Sequence, residues 1–188
     1  MRVLPETYLH PLAGKRMTGA EMIIQVLAEQ GVDTIFGYSG GAILPTYDAI
    51  FQYNAAQGRE GGHAIRLIVP ANEQGAGFMA AGYARASGKV GVFLVTSGPG
   101  ATNSVTPIRD CMADSVPVVL ICGQVPRAAI GSDAFQEAPV FNIMSPCAKH
   151  VFLVEDPEEL EATVRSAFEI AYSLYEGVTQ AAHRTTLA

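Results

Sequence analysis

The sequence contains no tryptophan and only three cysteines among its 188 residues, and just 16% of its residues are charged. Cys111, Cys122 and Cys147 are widely spaced and form no CxxC pair, so the sequence encodes neither a disulfide framework nor a zinc knuckle. Long hydrophobic runs are also missing, since residues 91–95 and 116–122 are much shorter than the roughly 20 residues that span a bilayer. The N-terminus has no apolar signal core. We expect a cytoplasmic protein with no membrane span and no metal site.

Positive charge is scarce as well. Twelve lysines and arginines oppose 18 aspartates and glutamates, and the net charge is −6. This sign is wrong for a chain that binds nucleic acid or an anionic membrane through its overall field, so neither is an expected partner. Hydrophobic residues make up 49% of the sequence, which is enough apolar surface for one folded domain of ordinary size.

Short apolar strands alternate with amphipathic helices along the chain. Thr18 and Glu21 form the pattern of a capping box at the start of the first helix, and Gly31 follows that helix. The periodicities predict strands at 34–36, 65–69, 90–96, 117–122 and 150–154, and helices at 18–30, 42–53, 72–87, 102–114, 140–144 and 157–175, with loops at 54–62 and 124–139. This order predicts an α/β fold of three layers, a parallel sheet with helices on both faces.

Ligands of an open parallel sheet bind beyond the carboxyl ends of its strands, so the turns that follow the strands are candidate sites. Three of them, at 37–41, 72–75 and 96–103, are rich in glycine, hydroxyl and amide groups, and one carries the carboxylate of Glu73. Taken singly, each is better explained by turn and capping chemistry than by a ligand site. The phosphate-binding patterns GxxxxGK[ST] and GxGxxG are absent, as are the GxSxG nucleophile motif and clustered metal ligands.

Several separated motifs occur together in this chain. They are Thr-Gly-Ala-Glu at 18–21, Phe-Gly-Tyr-Ser-Gly-Gly-Ala at 36–42, Glu-Gln-Gly-Ala-Gly at 73–77, Gly-Tyr-Ala-Arg at 82–85, Thr-Ser-Gly-Pro-Gly-Ala-Thr-Asn at 96–103, Gly-Gln-Val at 123–125 and Asp-Ala-Phe-Gln-Glu at 133–137. In this combination the chain resembles the N-terminal, pyrimidine-binding domain of thiamine-diphosphate enzymes, and specifically the acetohydroxyacid synthase (acetolactate synthase) family. The resemblance implies a thiamine-diphosphate-binding fold of the pyrimidine type.

The resemblance also implies roles for individual residues. Glu73 would be the catalytic carboxylate that hydrogen-bonds the cofactor's aminopyrimidine ring, although a carboxylate in the first turn of a helix is also favoured by the helix dipole. The family's cofactor-binding positions fall on Tyr38, Ser39, Gly40, Gly41, Thr96, Pro99, Asn103 and Gln136. The family's substrate channel falls on Phe135, Val116 and Pro117. Phe135 could equally be an aromatic residue of the core, and Val116 and Pro117 could equally be the start of a buried strand.

The chain departs from the family pattern in three ways. Ser39 replaces the usual proline and Asn72 the usual histidine, and both changes are mild. Family members are several hundred residues long and carry the diphosphate, Mg²⁺ and FAD on further domains that have no counterpart here. The family's Gly-Arg-Pro-Gly-Pro and its apolar edge strand are replaced by an unrelated sequence. We therefore predict an N-terminal extension at 1–16, the pyrimidine-binding domain at 17–172, with its last edge strand missing, and an atypical tail at 173–188.

Three hypotheses follow for function. In the first, the chain is part of an acetolactate synthase that condenses two 2-ketoacids with release of CO₂ in branched-chain amino-acid biosynthesis, and is inactive alone. The resemblance implies a homodimer or larger assembly through the cofactor-sharing face and a regulatory small subunit as partner. In the second, the chain is one subunit of a split thiamine-diphosphate decarboxylase. In the third, it is a non-catalytic module that pairs with full-length synthase subunits.

Overall fold

The computed structural model describes residues 14–60 and 62–186, with side chains omitted at 59, 60 and beyond 173. Its centre is a sheet of four parallel strands in the order β2-β1-β3-β4. The strands are β1 (Thr34–Gly37), β2 (Arg66–Ile68), β3 (Gly91–Val95) and β4 (Val118–Cys122). All residues of β1 and β3 are buried, as expected for central strands covered on both faces. The predicted α/β class and parallel sheet are confirmed.

Helices cover both faces of the sheet. They are α1 (Gly19–Glu29), α2 (Leu44–Glu60), α3 (Glu73–Ser87), α4 (Pro99–Asn103), α5 (Val105–Ala113), α6 (Val140–Met144) and α7 (Leu160–Thr186). On one face, Leu27 of α1, Ile50 of α2 and Phe168 of α7 belong to a single buried cluster. On the other face, Ala80 of α3 and Met144 of α6 pack with Phe93 of β3. The three predicted layers are therefore present.

Local signals set the ends of the best-defined helices. The Thr18 side chain accepts a hydrogen bond from the Glu21 amide, and the Glu21 carboxylate accepts one from the Thr18 amide in return. Asn72 caps α3 by accepting from the amide of Gly75 at 2.7 Å. Gly88 ends α3 in the left-handed conformation, with φ at 71°. The helix that begins with Glu73 is thus fixed at both ends.

Four predictions on secondary structure are wrong. The strand expected at 150–154 is absent, because this segment faces β4 across a cavity and has no strand beside it. The loop expected from residue 54 continues α2 to Glu60, since its alanine, glutamine, arginine and glutamate residues favour a helix. The helix expected at 102–114 starts at Pro99 and is divided at Ser104 into α4 and α5. Finally, α7 runs past the expected end at 175 to Thr186, where no proline stops it.

The β4 side of the sheet is open. Within the described residues, β4 pairs only with β3, and a mostly apolar cavity of about 510 Å³ lies between β4, α7 and residues 150–155. The predicted boundary at 172 falls inside α7. Of the predicted extension at 1–16, residues 1–13 lie outside the described part of the chain, as do residues 187 and 188 of the predicted tail. No helix in the described ranges is long and apolar enough to cross a bilayer.

Candidate functional site

Three turns meet at the carboxyl edge of the sheet. Residues 38–41 follow β1, residues 69–72 lead from β2 into α3, and residues 96–98 follow β3. Because β1 lies between β2 and β3 in a parallel sheet, these turns are neighbours at one edge. The predicted site residues in these turns therefore come together, and two of the three turns follow the fully buried strands β1 and β3.

Glu73 supplies the carboxylate of this edge. It is the first residue of α3, and only 7% of its surface is exposed. Its Oε2 accepts a hydrogen bond at 3.0 Å from the Asn103 side chain, which projects from the end of α4. Its Oε1 has no hydrogen-bond partner among the described residues. The carboxylate is thus oriented through one oxygen, and the other oxygen is free to bind a ligand.

Gly40 and Thr96 bring the first and third turns into direct contact. A Cβ atom on Gly40 would lie 2.5 Å from the Thr96 Cβ, a separation that only glycine avoids. The buried Thr96 hydroxyl accepts a hydrogen bond from the Ala42 amide at 3.2 Å. A Cβ on the neighbouring Gly41, by contrast, would meet no atom within 4 Å. The backbone at Gly41 consequently faces open space, and Tyr38 and Ser39 beside it are exposed.

The long loop at 124–139 reaches the third turn through Gln136. A Cβ on Gly98 would lie 2.3 Å from the carbonyl oxygen of Gln136, so the two backbones touch. Gly98, with φ at 49°, precedes Pro99 and the helix that ends at Asn103. Phe135 beside Gln136 is 88% exposed, so the alternative of a core aromatic is wrong. The loop therefore joins the Asn103 and Glu73 side of the site.

Val116 and Pro117 are not brought to this edge. Both are buried just before β4 begins, at the amino ends of the strands. Val116 packs in a small cluster with Ala81, Ala84 and Cys111. Val116 and Pro117 are therefore buried residues that lead into β4, in keeping with the alternative of a strand start.

Sequence analysis missed Tyr47, a residue of α2. Tyr47 is buried, and its hydroxyl has no hydrogen-bond partner within the described residues. That hydroxyl lies against Gly37, where a Cβ would approach it to 2.4 Å. Burial, followed by the negative charge of Glu73, raises the pKa of Tyr47 to about 12. Its spacing from Ile43 and Ile50 indicates a core position, but no sequence signal reveals an unpaired hydroxyl near Glu73.

The arrangement combines a buried, oriented carboxylate with close-packed glycine turns and open space at Gly41. Such a carboxylate can exchange a hydrogen bond or a proton with a ring nitrogen that approaches its free oxygen. In the described part of the chain, no group of three or more His, Cys, Asp or Glu side chains is placed to hold a metal ion. The site is thus suited to the heterocyclic end of an organic cofactor.

The fold and this site define a cofactor-binding domain of the thiamine-dependent enzymes. Residues 17–144 match the family described as "Thiamine pyrophosphate enzyme, N-terminal TPP binding domain", and the chain belongs to that family. The predicted membership and the predicted cofactor, thiamine diphosphate, are confirmed at this level. The free Oε1 of Glu73 and the open backbone at Gly41 fit the pyrimidine end of that cofactor.

The chain is also similar to particular synthases. It is 53% identical over 157 residues to the mitochondrial acetolactate synthase catalytic subunit of Saccharomyces cerevisiae, covering 84% of this chain and 22% of the relative. It is 48% identical over 162 residues to acetolactate synthase of Mycobacterium bovis, covering 86% of this chain and 25% of the relative. It is 48% identical over 157 residues to the large subunit of acetolactate synthase isozyme 2 of Escherichia coli, covering 84% of this chain and 27% of the relative. The chain thus spans about a quarter of the length of these relatives.

Proposed function

We propose that this chain is the pyrimidine-binding part of an acetolactate synthase, which joins two 2-ketoacids with loss of CO₂ on the route to branched-chain amino acids. The observation that carries the proposal is the buried Glu73 carboxylate, held through one oxygen by Asn103 at 3.0 Å. Identities of 48% to 53% to acetolactate synthases favour this reaction over other thiamine-dependent ones.

In this proposal, Glu73 orients the cofactor and controls one proton. The free Oε1 of Glu73 hydrogen-bonds a pyrimidine ring nitrogen, and Asn103 prevents the carboxylate from rotating away. When bound, the cofactor would supply the electron sink that decarboxylation of a 2-ketoacid requires. Glu73 is the first residue of α3, and Asn72 caps that helix. The carboxylate is therefore held in place before the cofactor binds, and binding would need little reorganisation.

The other cofactor contacts are proposals of the same kind. The turn after β1 would border the cofactor and the reacting carbonyl, because its backbone faces open space at Gly41. This turn contains Tyr38, Ser39, Gly40 and Gly41. Thr96, Pro99 and Asn103 would lie against the pyrimidine, and Gln136 would contact the cofactor from the loop at 124–139. Phe135 would border the substrate channel, which its exposure permits. For Val116 and Pro117, only the family resemblance supports a place in the channel wall.

The whole enzyme would need more than this chain. Mg²⁺, the diphosphate site and FAD would be supplied by further domains, and 2-ketoacids would be the substrates. A homodimer or larger assembly would complete the cofactor site, and a regulatory small subunit would be a further partner. We propose the cytoplasm as the location, by analogy with the bacterial relatives, although the Saccharomyces relative is named as mitochondrial. The chain by itself would make no acetolactate.

A chimera tests the proposed reaction. Residues 17–172 of this chain replace the matching segment of the Saccharomyces catalytic subunit, and acetolactate is measured from pyruvate with thiamine diphosphate, Mg²⁺ and FAD. The matched control is the same subunit with the segment deleted. We expect acetolactate from the chimera and none from the control. A correctly assembled chimera that consumes pyruvate without forming acetolactate would contradict the proposal.

A further inference from the structure

One carboxylate closes the loop formed by residues 131–137. The Oε1 atom of Glu137 accepts a hydrogen bond from the Gly131 amide, and its Oε2 accepts one from the Ala134 amide at 3.0 Å. The Glu137 amide in turn donates to the Ala134 carbonyl at 2.9 Å. The backbone amides, that of Gly131 first, lower the pKa of the Glu137 carboxyl below its usual value. Both hydrogen bonds therefore end on an ionised acceptor, which makes them stronger than neutral ones.

The loop holds two residues in an unfavourable backbone conformation. Asp133 has a φ of 55° and Gln136 a φ of 59°, values that side-chain-bearing residues rarely adopt. Such conformations persist only where the surrounding structure enforces them, and they are common at ligand-binding sites. Within the loop, the hydrogen bond from Gly131 to Glu137 spans both positions, and the hydrogen bond from Ala134 spans Gln136 alone. The Glu137 carboxylate is the group placed to enforce them.

The closed loop rests on the functional edge of the sheet. The Gln136 carbonyl touches Gly98, and the turn at Gly98 leads into α4 and Asn103, the residue that holds Glu73. Phe135, the residue before Gln136, is 88% exposed although it is aromatic. A large apolar side chain held this openly on an ordered loop beside a polar site is suited to contact a ligand.

We propose that Glu137 is a positioning residue that locks the loop at 131–137 and so presents Phe135 to the 2-ketoacid substrate beside Glu73. Glu137 itself would contact neither cofactor nor substrate and would act only through the backbone of the loop. The inference rests on the proposed function for the identity of the substrate, whereas the locking of the loop depends on this chain alone.

Amide hydrogen exchange of this chain tests the locking. Glu137→Gln retains the shape of the side chain but keeps one acceptor oxygen, and Glu137→Ala removes both. We expect protection of the Gly131 or Ala134 amide to fall by about tenfold in Glu137→Gln, and protection of both amides to fall further in Glu137→Ala. The exposed Glu169→Gln on α7 is the matched control and should leave both amides unchanged. Unaltered protection at both amides in the two Glu137 variants would overturn the proposal.

Steady-state kinetics of the chimera described above test the positioning. Glu137→Gln should raise KM for pyruvate severalfold relative to the Glu169→Gln chimera, while the apparent affinity for thiamine diphosphate, to which this loop contributes only Gln136 among the proposed contacts, falls much less. A merely structural defect would lower both affinities together. Unchanged KM in an active Glu137→Gln chimera would overturn the inference while the proposed function stands. If a correctly assembled parent chimera consumes pyruvate without forming acetolactate, the proposed function fails, and the exchange experiment decides whether Glu137 locks the loop.

Discussion

Two neighbouring glycines at the candidate site should respond oppositely to the same substitution. In Gly40→Ala, the new Cβ would lie 2.5 Å from the Thr96 Cβ and 2.6 Å from its Cγ2. Carbon atoms normally approach to about 3.5–4.0 Å, so the first and third turns would have to separate by about 1 Å. In Gly41→Ala, the new Cβ would meet no atom within 4 Å. Neither glycine has a positive φ, so alanine is compatible with both backbones.

The magnitude for Gly40→Ala follows from three contributions. Overpacking a buried contact costs about 1–3 kcal/mol. Moving Thr96 also weakens its 3.2 Å hydrogen bond with the Ala42 amide, which contributes about 0.5–1.5 kcal/mol. The lower entropy of the unfolded alanine chain offsets about 0.4–1 kcal/mol of this loss. We expect the free energy of unfolding to fall by about 0.5–4 kcal/mol in Gly40→Ala, and to stay equal or rise by up to about 1 kcal/mol in Gly41→Ala.

Urea unfolding of the two variants and the parent chain, followed by circular dichroism, measures this difference. At about 2–4 °C per kcal/mol, the melting temperature of Gly40→Ala should also be lower by several degrees. Equal stability of the two variants would refute the close packing of Gly40 against Thr96. It would also remove the structural reason for placing the open backbone at Gly41.

Three further outcomes are expected. Hydrogen bonds from Lys89 and then Tyr83 lower the pKa of Asp33 to about 2, so Asp33 stabilises the fold above about pH 4 and loses this effect as the pH falls toward 2. Because the Lys89–Asp33 pair is nearly half exposed, Asp33→Asn should reduce the stability lost between pH 4 and pH 2 by less than about 1 kcal/mol, and an unchanged dependence of the free energy of unfolding on pH would contradict this. Desolvation raises the pKa of the buried Cys111 to about 11 and that of the partly buried Cys122 to about 12. Mass spectrometry should therefore find both unmodified by iodoacetamide at pH 8 unless the chain is denatured, whereas rapid alkylation of the native chain would contradict these raised pKa values. Tyr47→Phe removes an unpaired buried hydroxyl, so the free energy of unfolding measured in urea should stay unchanged or rise by up to about 1 kcal/mol. Clear destabilisation would reveal a partner for that hydroxyl.

Features of the fold that depend on neighbouring residues in sequence could be predicted. The capping box at the start of α1 joins Thr18 and Glu21, which are three positions apart, and it was predicted from the sequence. The continuous apolar run of β3 indicated a strand covered on both faces, and every residue of β3 is buried. The strand expected at 150–154 failed because a strand requires a neighbour, and apolar sequence alone does not supply one.

The candidate site could be predicted in its location more than in its detail. The turns after β1, β2 and β3 were identified because parallel strands bring their carboxyl ends to one edge. The hydrogen bond between Asn103 and Glu73 joins residues 30 positions apart, and the Gly40 contact with Thr96 spans 56 positions. Such distant contacts leave no periodic signal. The unpaired hydroxyl of Tyr47 was missed for the same reason, since its neighbours in space, Gly37 and Glu73, are distant in sequence.

The most direct test of the account is the rate of acetolactate formation by the Glu73→Gln chimera. Glutamine keeps the size of the side chain and its contact with Asn103 but cannot take up a proton at the free oxygen. We predict a fall in kcat of about 100-fold or more relative to the parent chimera, as expected when a group that transfers a proton is lost. The Glu169→Gln chimera should keep the parent rate. A Glu73→Gln chimera as fast as the parent would contradict the assignment of this edge of the sheet as the cofactor site.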